Sequence, residues 1–280
     1  MLVSLQEVLD MAQTGGFAVP AFNVYNMETV VGAVQAAEEA KAPIIMQIYP
    51  RLVKEGVAYY LAPSVVAAAK KASVPVCFHL DHGPSELEVT RALYWGATGI
   101  MFDGSLHPYE ENMARTKQVV ETCGYVGLGV EGELGHIGTV NDDSMDEFTD
   151  IEEAAQFVKT TGVSALAVLV GNAHGRYKKP PKLDIERIRA IYEATNHIPL
   201  VLHGGSGIPD EQIQLAVKAG IRKMNFATDI CFTFLDTVQE GLNDPNRSVA
   251  LDIFMRKPID AVKEFCLTKI KLLGAEGMVQ

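Results

Sequence analysis

The sequence predicts an α/β protein folded as a single (β/α)8 TIM barrel. Eight short apolar segments alternate with amphipathic helical segments along the chain. Segments that are apolar on both faces and separated by helices are typical of parallel strands covered by helices. The length of 280 residues also fits one such barrel, which needs ~250 residues. Eight units of this kind favour a closed barrel over an open sheet.

Each predicted strand is followed by a predicted helix. The strands are expected at residues 17–24, 43–49, 75–81, 99–103, 125–134, 165–171, 199–204 and 221–227. The helices are expected at 27–40, 61–72, 85–95, 108–123, 151–160, 184–195 and 209–219, and from 229 to the carboxyl terminus. Ser85 and Glu88 have the spacing of a capping box, and Pro108 and Pro209 suit a first helical turn. These starts support the helix assignments.

The organisation along the chain indicates one domain. No linker rich in proline, glycine or serine divides it, so we predict a single catalytic domain over 1–280 with a C-terminal helical extension at about 249–280. Two strand-to-helix connections, 135–150 and 172–183, exceed the usual length of ~2–6 residues. Long loops at this end of a barrel usually carry function, and simple surface elaboration is the alternative.

Composition and charge limit the partners. A formal net charge of −11 without a basic block argues against nucleic acid. The chain has four cysteines without the spacing of a disulfide framework, which indicates reduced thiols. The amino terminus lacks the pattern of a signal peptide, and no apolar run approaches the ~20 residues of a membrane span. We therefore expect a cytoplasmic protein without a membrane partner.

Polar residues gather where the predicted strands end. Because all strand ends of a barrel share one face, these residues become neighbours around one mouth. Three imidazoles among them, His82, His174 and His203, can meet at one divalent ion and leave a coordination position open, as in catalytic zinc sites. Imidazole also suits other transition metals, and each histidine alone equally suits a hydrogen-bonded place at the rim. The set comprises Asp81, His82, Glu131, Glu133, Asn172, His174, His203, Asn225 and Thr228.

A glycine-rich turn predicts a phosphate site. Gly204, Gly205 and Ser206 lie between the seventh strand and a helix, where backbone amides and the serine hydroxyl can face an anion. The segment 225–228 makes the equivalent turn after the eighth strand, and these two loops are the usual phosphate site of barrel enzymes. The alternative is that the glycines only permit tight turns.

With these motifs assembled, the chain resembles the class II, metal-dependent ketose-bisphosphate aldolases over nearly its whole length. The length and the Asn-x-Ala-Thr turn are most similar to the tagatose-bisphosphate branch. The segments that carry the resemblance are 19–23, 79–82, 131–135, 171–175, 202–207 and 225–228.

The resemblance implies a role for each motif. His82, His174 and His203 would bind one Zn²⁺ per subunit, and Asp81 would be the acid/base on the hydroxyl that becomes the aldehyde. A monovalent cation near the phosphate and assembly as a homodimer or homotetramer are further expectations from the family. The dihydroxyacetone phosphate portion would contact Asn23, Gly175, Gly204, Gly205, Ser206, Asn225, Phe226, Ala227 and Thr228.

For two further residues, one histidine and one glutamate, the sequence predicts a less specific role. His79 shares a strand face with Asp81, so it is expected to orient that carboxylate or to lie around the metal ligands. Glu133 matches a family residue close to the metal. Both residues are therefore predicted either to surround the metal ligands or to offer an alternative metal position.

The loop after Glu133 departs from the family pattern. Family members commonly place an acidic residue there to exchange the proton on the enediolate carbon, and the simplest register puts Asn141 at that position. An amide cannot be that base, so either Asp142 or Asp143 takes over through a shifted loop, with Asp142 favoured, or this partial reaction differs. Glu133 is a further candidate for the base.

The aldehyde side of the site also differs from the family. Tyr49 occupies a region where the family often has a small residue. The candidate contacts to a distal phosphate are Arg176, Arg256 and Lys257.

The predicted reaction is the reversible cleavage of a ketose 1,6-bisphosphate, tagatose or fructose, into dihydroxyacetone phosphate and glyceraldehyde 3-phosphate. One alternative is an aldolase for another phosphorylated ketose that yields a different aldehyde. A second is a Schiff-base aldolase using Lys223, and a third is a phosphosugar-binding accessory subunit without turnover. A metal-dependent hydrolase is disfavoured because no separate water-activating group accompanies the histidines.

Overall fold

The computed structural model describes residues 1–140, 148–175, 177 and 180–279, and its centre is a closed parallel barrel. Each barrel strand pairs with the strands that precede and follow it in the chain, and the first pairs with the last. The third barrel strand also pairs with the fourth, through His79 and Gly99, so the ring of strands has no open edge. The predicted (β/α)8 barrel is thereby confirmed. Its strands are β2 (Val19–Asn23), β3 (Ile44–Ile48), β4 (Val76–Gly83), β5 (Gly99–Phe102), β6 (Val130–Leu134), β7 (Ala165–Val168), β8 (Leu200–Leu202) and β9 (Ile221–Phe226).

An amino-terminal strand and helix were not expected from the sequence. The strand β1 (Leu2–Val3) pairs in parallel with the start of β4, and the helix α1 (Leu5–Gly15) begins with a capping box between Ser4 and Glu7. The amide of Leu5 donates to Thr98 just before β5, and α1 packs against five barrel strands. This helix therefore covers the amino-terminal end of the barrel and leaves the opposite end open.

The remaining helices surround the barrel. The short helix α3 was not predicted; the others start or end within a few residues of their predicted limits. They are α2 (Met27–Ala40), α3 (Pro50–Lys54), α4 (Ala58–Lys71), α5 (Glu86–Tyr94), α6 (Tyr109–Gly124), α7 (Ile151–Thr161), α8 (Ile185–Ala194), α9 (Asp210–Ala219), α10 (Thr228–Asn243), α11 (Leu251–Phe254) and α12 (Arg256–Leu272).

Three helix starts differ in detail from the prediction. Ser85 caps α5 by accepting from the amide of Leu87 at 3.2 Å, while its hydroxyl donates to the Glu88 carboxylate, so the reciprocal capping box does not form. Pro108 and Pro209 occupy the cap positions of α6 and α9, one residue before the first turn. A missing amide hydrogen is harmless at either place, which is why proline fits.

The C-terminal helices close the outer layer around α2. The helix α12 packs against α2 and α10, and a Cβ at Gly32 of α2 would lie 2.8 Å from Val262. Glycine at this position therefore lets the two helices approach closely. Within α10, Ile230 is buried, whereas Leu235 and Leu242 face outward. No helix in the described ranges has the length and hydropathy needed to cross a bilayer.

Candidate active site

A cavity of about 550 Å³ opens at the carboxyl ends of the barrel strands. Every barrel strand, or the loop that follows it, contributes to its wall, as the shared face of the strand ends predicts. The predicted site residues that line it are Asn23, Asp81, His82, His174, Gly175, Gly204, Gly205, Ser206, Asn225, Ala227 and Thr228.

An irregularity in β4 places two successive residues on the same side. In a regular strand Asp81 and His82 would point to opposite faces, yet both line the cavity. The register of β4 against β5 shifts between Leu80 and Gly83, and His82 has a φ of 46°. Bulges of this kind redirect side chains at active sites. The left-handed conformation at His82 is a local strain that the surrounding pairings hold in place.

The three predicted metal ligands converge, with His82 and His174 in the cavity wall and His203 directly beside His82. His82 Nε2 lies 3.2 Å from His174 Nε2 and 2.8 Å from His203 Nδ1. His82 and His174 are largely buried and His203 is fully buried. These nitrogens could hold one metal ion, because one ligand atom from each histidine lies within 4.8 Å of the others.

Each of the three rings is held through its other nitrogen by a group that only accepts hydrogen bonds. His82 Nδ1 donates to Asp103 at 2.7 Å, His174 Nδ1 to the carbonyl of Ile137 at 2.9 Å, and His203 Nε2 to Glu131 at 2.8 Å. A neutral imidazole that donates from one nitrogen carries a lone pair on the other. The three cavity nitrogens are thus oriented as metal ligands, with outer partners of the kind that metal sites use.

The charges around the rings also fit a cation. Burial opposes protonation of His82, but the carboxylates of Asp81, Asp103 and Glu133 outweigh it and raise its pKa to about 10. Burial and the neighbouring His82 lower the pKa of His174 to about 4, and that of His203 lies well below its usual value for the same reasons. The pocket therefore favours positive charge at its centre, and the donor set suits a divalent transition metal.

Glu133 lies beside the same centre. Its Oε1 accepts from the amide of Ile137 at 3.1 Å, and its Oε2 lies 3.7 Å from His82 Nδ1 and 3.9 Å from His203 Nδ1. Within the described part of the chain no group hydrogen-bonds Oε2, and burial raises the pKa of this carboxyl to about 8. With His82 and Asp103 it forms a second group able to hold an ion, which agrees with an alternative metal position.

Asp81 is oriented by two amides. Asn23 donates to its Oδ2 at 2.8 Å and Asn225 to its Oδ1 at 3.0 Å. Asn23 is in turn fixed by Gln47, which donates to its amide oxygen at 2.8 Å. Both carboxylate oxygens are therefore positioned at the edge of the cavity, 3.9 Å from His82 at the nearest.

The glycine loops approach each other too closely for side chains. Gly204 has a φ of 65°, and a Cβ there would lie 2.0 Å from the carbonyl oxygen of Ala173. The Ser206 hydroxyl accepts from the amide of Asp229, and α10 begins at Thr228 beside it. Backbone amides and helix starts on this side of the cavity form an environment that suits an anion.

Comparison with known proteins identifies the family. The sequence profile described as "Fructose-bisphosphate aldolase class-II" matches residues 3–278. The chain belongs to this family of aldolases. It is 36% identical to the YdjI aldolase from Escherichia coli K12, with all of both chains covered and a TM-score of 0.90.

Two further solved structures are similar. A candidate fructose-1,6-bisphosphate aldolase from Coccidioides immitis is 28% identical, with 98% of this chain and 96% of that chain covered and a TM-score of 0.87. Fructose-bisphosphate aldolase from Campylobacter jejuni is 24% identical over the same shares, with a TM-score of 0.83, and at that identity it supports the fold alone. The chain is thus an aldolase, an aldehyde-lyase.

Two expected site residues of this aldolase do not line the cavity. Phe226 is fully buried and packs against Phe22 and Phe265, because alternation along β9 turns it away from the face that Asn225 occupies. His79 is also fully buried, and its nearest acidic neighbour is Glu131 at 3.5 Å. It does not orient Asp81 and belongs to no group of potential metal ligands in the described residues. Its neighbour Glu131 holds His203, so His79 lies around the predicted metal ligands, which is the other position expected for it.

Several predictions for this aldolase lie outside the described residues. These are the second base, Asp142, with its neighbours Asn141 and Asp143, and the distal contact Arg176. The other two distal candidates, Arg256 and Lys257, are exposed at the start of α12 and do not line the cavity.

The long loops of the aldolase meet at the cavity, as expected. The amide of His174 donates to Gly138 at 2.9 Å, and the amide of Val140 donates to His174 at 2.9 Å. Tyr177 connects the loops after β7 and β8: its hydroxyl accepts from the amide of Ala173 and donates to the carbonyl of Gly204. Burial raises the pKa of this hydroxyl to about 12. The segment after β7 is thereby tied to both neighbouring loops.

The sequence reasoning missed several residues of the aldolase cavity, and three of them carry ionisable side chains that bear on its chemistry. Asp103 stands at the end of β5, where the rule that selected Asp81 also applies. His136 lines the wall and bonds Ser105 at 3.1 Å, and that hydroxyl donates to Asp103 at 2.6 Å. Arg51, at the start of α3, was not predicted as a site residue because no helix was expected there.

Replacing Asp103 by asparagine should weaken metal binding by the aldolase about 10–100-fold, because the His82 ring loses its charged partner. Titration of the metal-free protein with Co²⁺, followed by visible absorption, measures this. Asp10→Asn on the exposed surface of α1 is the matched control and should bind like the wild type. Equal Co²⁺ affinity in both variants would show that Asp103 does not support the ligand.

Proposed function

We propose that this aldolase is zinc-dependent and reversibly cleaves a ketose 1,6-bisphosphate, tagatose or fructose, into dihydroxyacetone phosphate and glyceraldehyde 3-phosphate. The observation that carries the proposal is the meeting of three oriented imidazole nitrogens beside the Asp81 carboxylate, at the wall of one cavity that Asp81, His82 and His174 line. The glycine loops on one side of this cavity suit a phosphate. The Coccidioides immitis protein is described as a candidate fructose-1,6-bisphosphate aldolase.

Zinc suits the nitrogen donors better than a hard ion would. Three neutral imidazoles are the ligand set of several catalytic zinc sites, whereas magnesium and calcium prefer oxygen. When bound at His82, His174 and His203, the ion would stabilise negative charge on the substrate oxygens during cleavage. The monovalent cation expected from the family remains a prediction for the phosphate side.

Asp81 is proposed to take the proton of the C4 hydroxyl in the cleavage direction. Its carboxylate oxygens accept from Asn23 and Asn225, so the group is held in one orientation at the cavity edge. Transfer of that proton lets the C4 oxygen become a carbonyl as the bond between C3 and C4 breaks. The electron pair of that bond remains on C3 of the dihydroxyacetone phosphate half.

The glycine side is proposed to hold the phosphate of the dihydroxyacetone half. Gly175, Gly204 and Ser206 line this side, and α10 begins next to them at Thr228. Close backbone approach and free first-turn amides favour a dianion at such a place. Asn23, Gly205, Asn225 and Ala227 complete the predicted contacts, whereas Phe226 does not.

A second anion of the substrate is proposed to meet Arg51. Among the described residues that line the cavity, Arg51 is the one side chain with a permanent positive charge. It lies with Tyr25 and Tyr49 after β2 and β3, whereas the glycine loops follow β7 and β8. A guanidinium is well suited to a phosphate, so Arg51 replaces Arg256 and Lys257 as the distal contact.

Arg51→Gln should raise KM for the bisphosphate about tenfold or more, because a charge-assisted contact is lost. The KM for dihydroxyacetone phosphate in the condensation direction should not change. Steady-state kinetics in both directions measure the two constants. Lys54→Gln, an exposed cation on the same helix, serves as control. An unaltered KM for the bisphosphate would remove Arg51 from the substrate site.

Asp142 is proposed to exchange the proton on C3 of dihydroxyacetone phosphate. It stands next to Asn141, whose amide cannot act as a base. The described start of this loop, through Gly138 and Val140, is already hydrogen-bonded to His174 at the cavity. This anchorage supports a role for the residues that follow.

Asp142→Asn should slow exchange of that proton about 100-fold or more, since general-base catalysis is lost. Proton NMR of dihydroxyacetone phosphate with the enzyme in D₂O measures the rate. Asp143→Asn should exchange at the rate of the wild type. Loss of exchange in Asp143→Asn alone would transfer the role to Asp143.

Two alternatives can be separated from this proposal. Lys223, the candidate for a Schiff base, is fully buried, contacts Glu131 and does not line the cavity, which disfavours it. Borohydride trapping with substrate tests it directly. An accessory subunit would bind dihydroxyacetone phosphate without proton exchange, whereas another phosphorylated ketose would be cleaved to a different aldehyde.

Cleavage of a panel of phosphorylated ketoses, with and without a chelator, is the decisive experiment. The wild type should cleave a 1,6-bisphosphate and lose activity when the metal is removed. Asp81→Ala should keep its zinc and lose turnover about 100-fold or more, whereas His174→Ala should lose both. Full turnover in demonstrably metal-free enzyme would refute the proposal.

The assembly proposed for this aldolase is a cytoplasmic homodimer or homotetramer. Leu235 and Leu242 of α10 and Leu251 and Ile253 of α11 expose about half or more of their surface. Exposed apolar patches often mark contacts between subunits. Light scattering after size-exclusion chromatography measures the assembly, and a monomer at micromolar concentration would contradict it.

The four cysteines are free, which agrees with a reducing compartment.

A further inference from the structure

Lys223 lies where a lysine is difficult to accommodate. Its side chain is fully buried in β9, inside the barrel and outside the cavity wall. Its Nζ lies 2.8 Å from Glu131 Oε2 and donates to the amide oxygen of Asn225 at 2.7 Å. Removing an ammonium from water is unfavourable unless its neighbours compensate for it. Lys223 does not line the cavity, and these two neighbours connect it to the groups that do.

The first neighbour leads to a metal ligand. Glu131 is fully buried, and its other oxygen accepts from His203 Nε2 at 2.8 Å. Glu131 therefore lies between the Lys223 ammonium and the His203 ring, and as a carboxylate it can only accept from both. His203 must then donate from Nε2 and keep its lone pair on Nδ1, the nitrogen that faces His82 at 2.8 Å.

The second neighbour leads to the acid/base. An ammonium only donates, so the oxygen of the Asn225 amide must face Lys223. The NH₂ group of Asn225 is thereby turned toward Asp81, to which it donates at 3.0 Å. Without Lys223 the Asn225 oxygen loses its donor, so the amide is anchored only through Asp81 and no longer fixes the position of that carboxylate.

We propose that Lys223 is a positioning residue that sets two groups of the active site at once: the ligand nitrogen of His203 through Glu131, and the carboxylate of Asp81 through Asn225. One buried charge thereby couples the metal site to the proton-transfer group. The inference rests on the function proposed above, but its first half concerns metal binding and can be measured without a substrate.

The test compares Lys223→Met with the wild type by two measurements. Zinc affinity, from competition with a chromophoric chelator, should fall about 10–100-fold. The kcat for the bisphosphate, measured at saturating zinc, should also fall about 10–100-fold with little change in KM, because Lys223 does not touch the substrate. Lys218→Met, an exposed lysine of α9, is the matched control and should change neither quantity.

The double variant Lys223→Met/Glu131→Gln separates the two halves. It removes both buried charges together, so it should fold even if the uncompensated carboxylate prevents Lys223→Met from folding. A glutamine oxygen can still accept from His203, so zinc affinity should return to within about threefold of Glu131→Gln alone. The kcat should remain about tenfold or more below that of Glu131→Gln, because Asn225 is still unoriented.

Three outcomes are decisive. Wild-type zinc affinity and kcat in folded Lys223→Met would overturn the inference, even if the melting temperature fell, because a purely structural lysine would behave in that way. A double variant with the kcat of Glu131→Gln would overturn the branch through Asn225. If the wild type cleaves no ketose of the panel, the proposed function fails, and the zinc affinities of the same variants still decide the branch through His203.

Discussion

The irregular end of β4 is the feature on which the rest of the site depends. A regular strand would direct Asp81 and His82 to opposite faces, so the proposed base and the proposed metal ligand could not share one cavity. The register shift and the left-handed backbone at His82 bring both to the same side. Such a conformation in a residue other than glycine costs on the order of 1–3 kcal/mol and requires support from its surroundings. The pairings of β4 with β3 and β5 and the contact between His82 and Asp103 provide that support.

Inside the barrel, negative charge without a paired cation is concentrated around His82. Glu131 is paired with Lys223, whereas Asp103 and Glu133 face His82 from the other side. The directions of the histidine pKa values follow from this arrangement: one ring attracts a proton and its two neighbours are thereby kept neutral. A divalent ion at the three cavity nitrogens meets the same unbalanced negative charge. The site is therefore built as much from the partners of the histidines as from the histidines themselves.

The two sides of the cavity are chemically different. After β7 and β8 the backbone itself forms the wall, because Gly204 approaches Ala173 too closely for a side chain. After β2 and β3 the wall consists of large side chains, Tyr25, Tyr49 and Arg51. Backbone amides select a phosphate by its charge and shape, whereas side chains can differ from one family member to another. In the proposed reaction, the second side is therefore where we expect the aldehyde half to be distinguished.

The sequence by itself determined the barrel, the eight strand positions and the residues at the strand ends, because the alternation of buried strands and amphipathic helices is a local pattern. It also pointed to His82, His174, His203 and Asp81, since parallel strands bring their ends to one face. Only the tertiary structure decided which nitrogen of each ring faces the cavity, that Phe226 points away from it and that His79 does not reach Asp81. These facts depend on contacts between residues far apart in the chain, such as Glu131 with Lys223, and on the shift at the end of β4, which no periodicity in the sequence records.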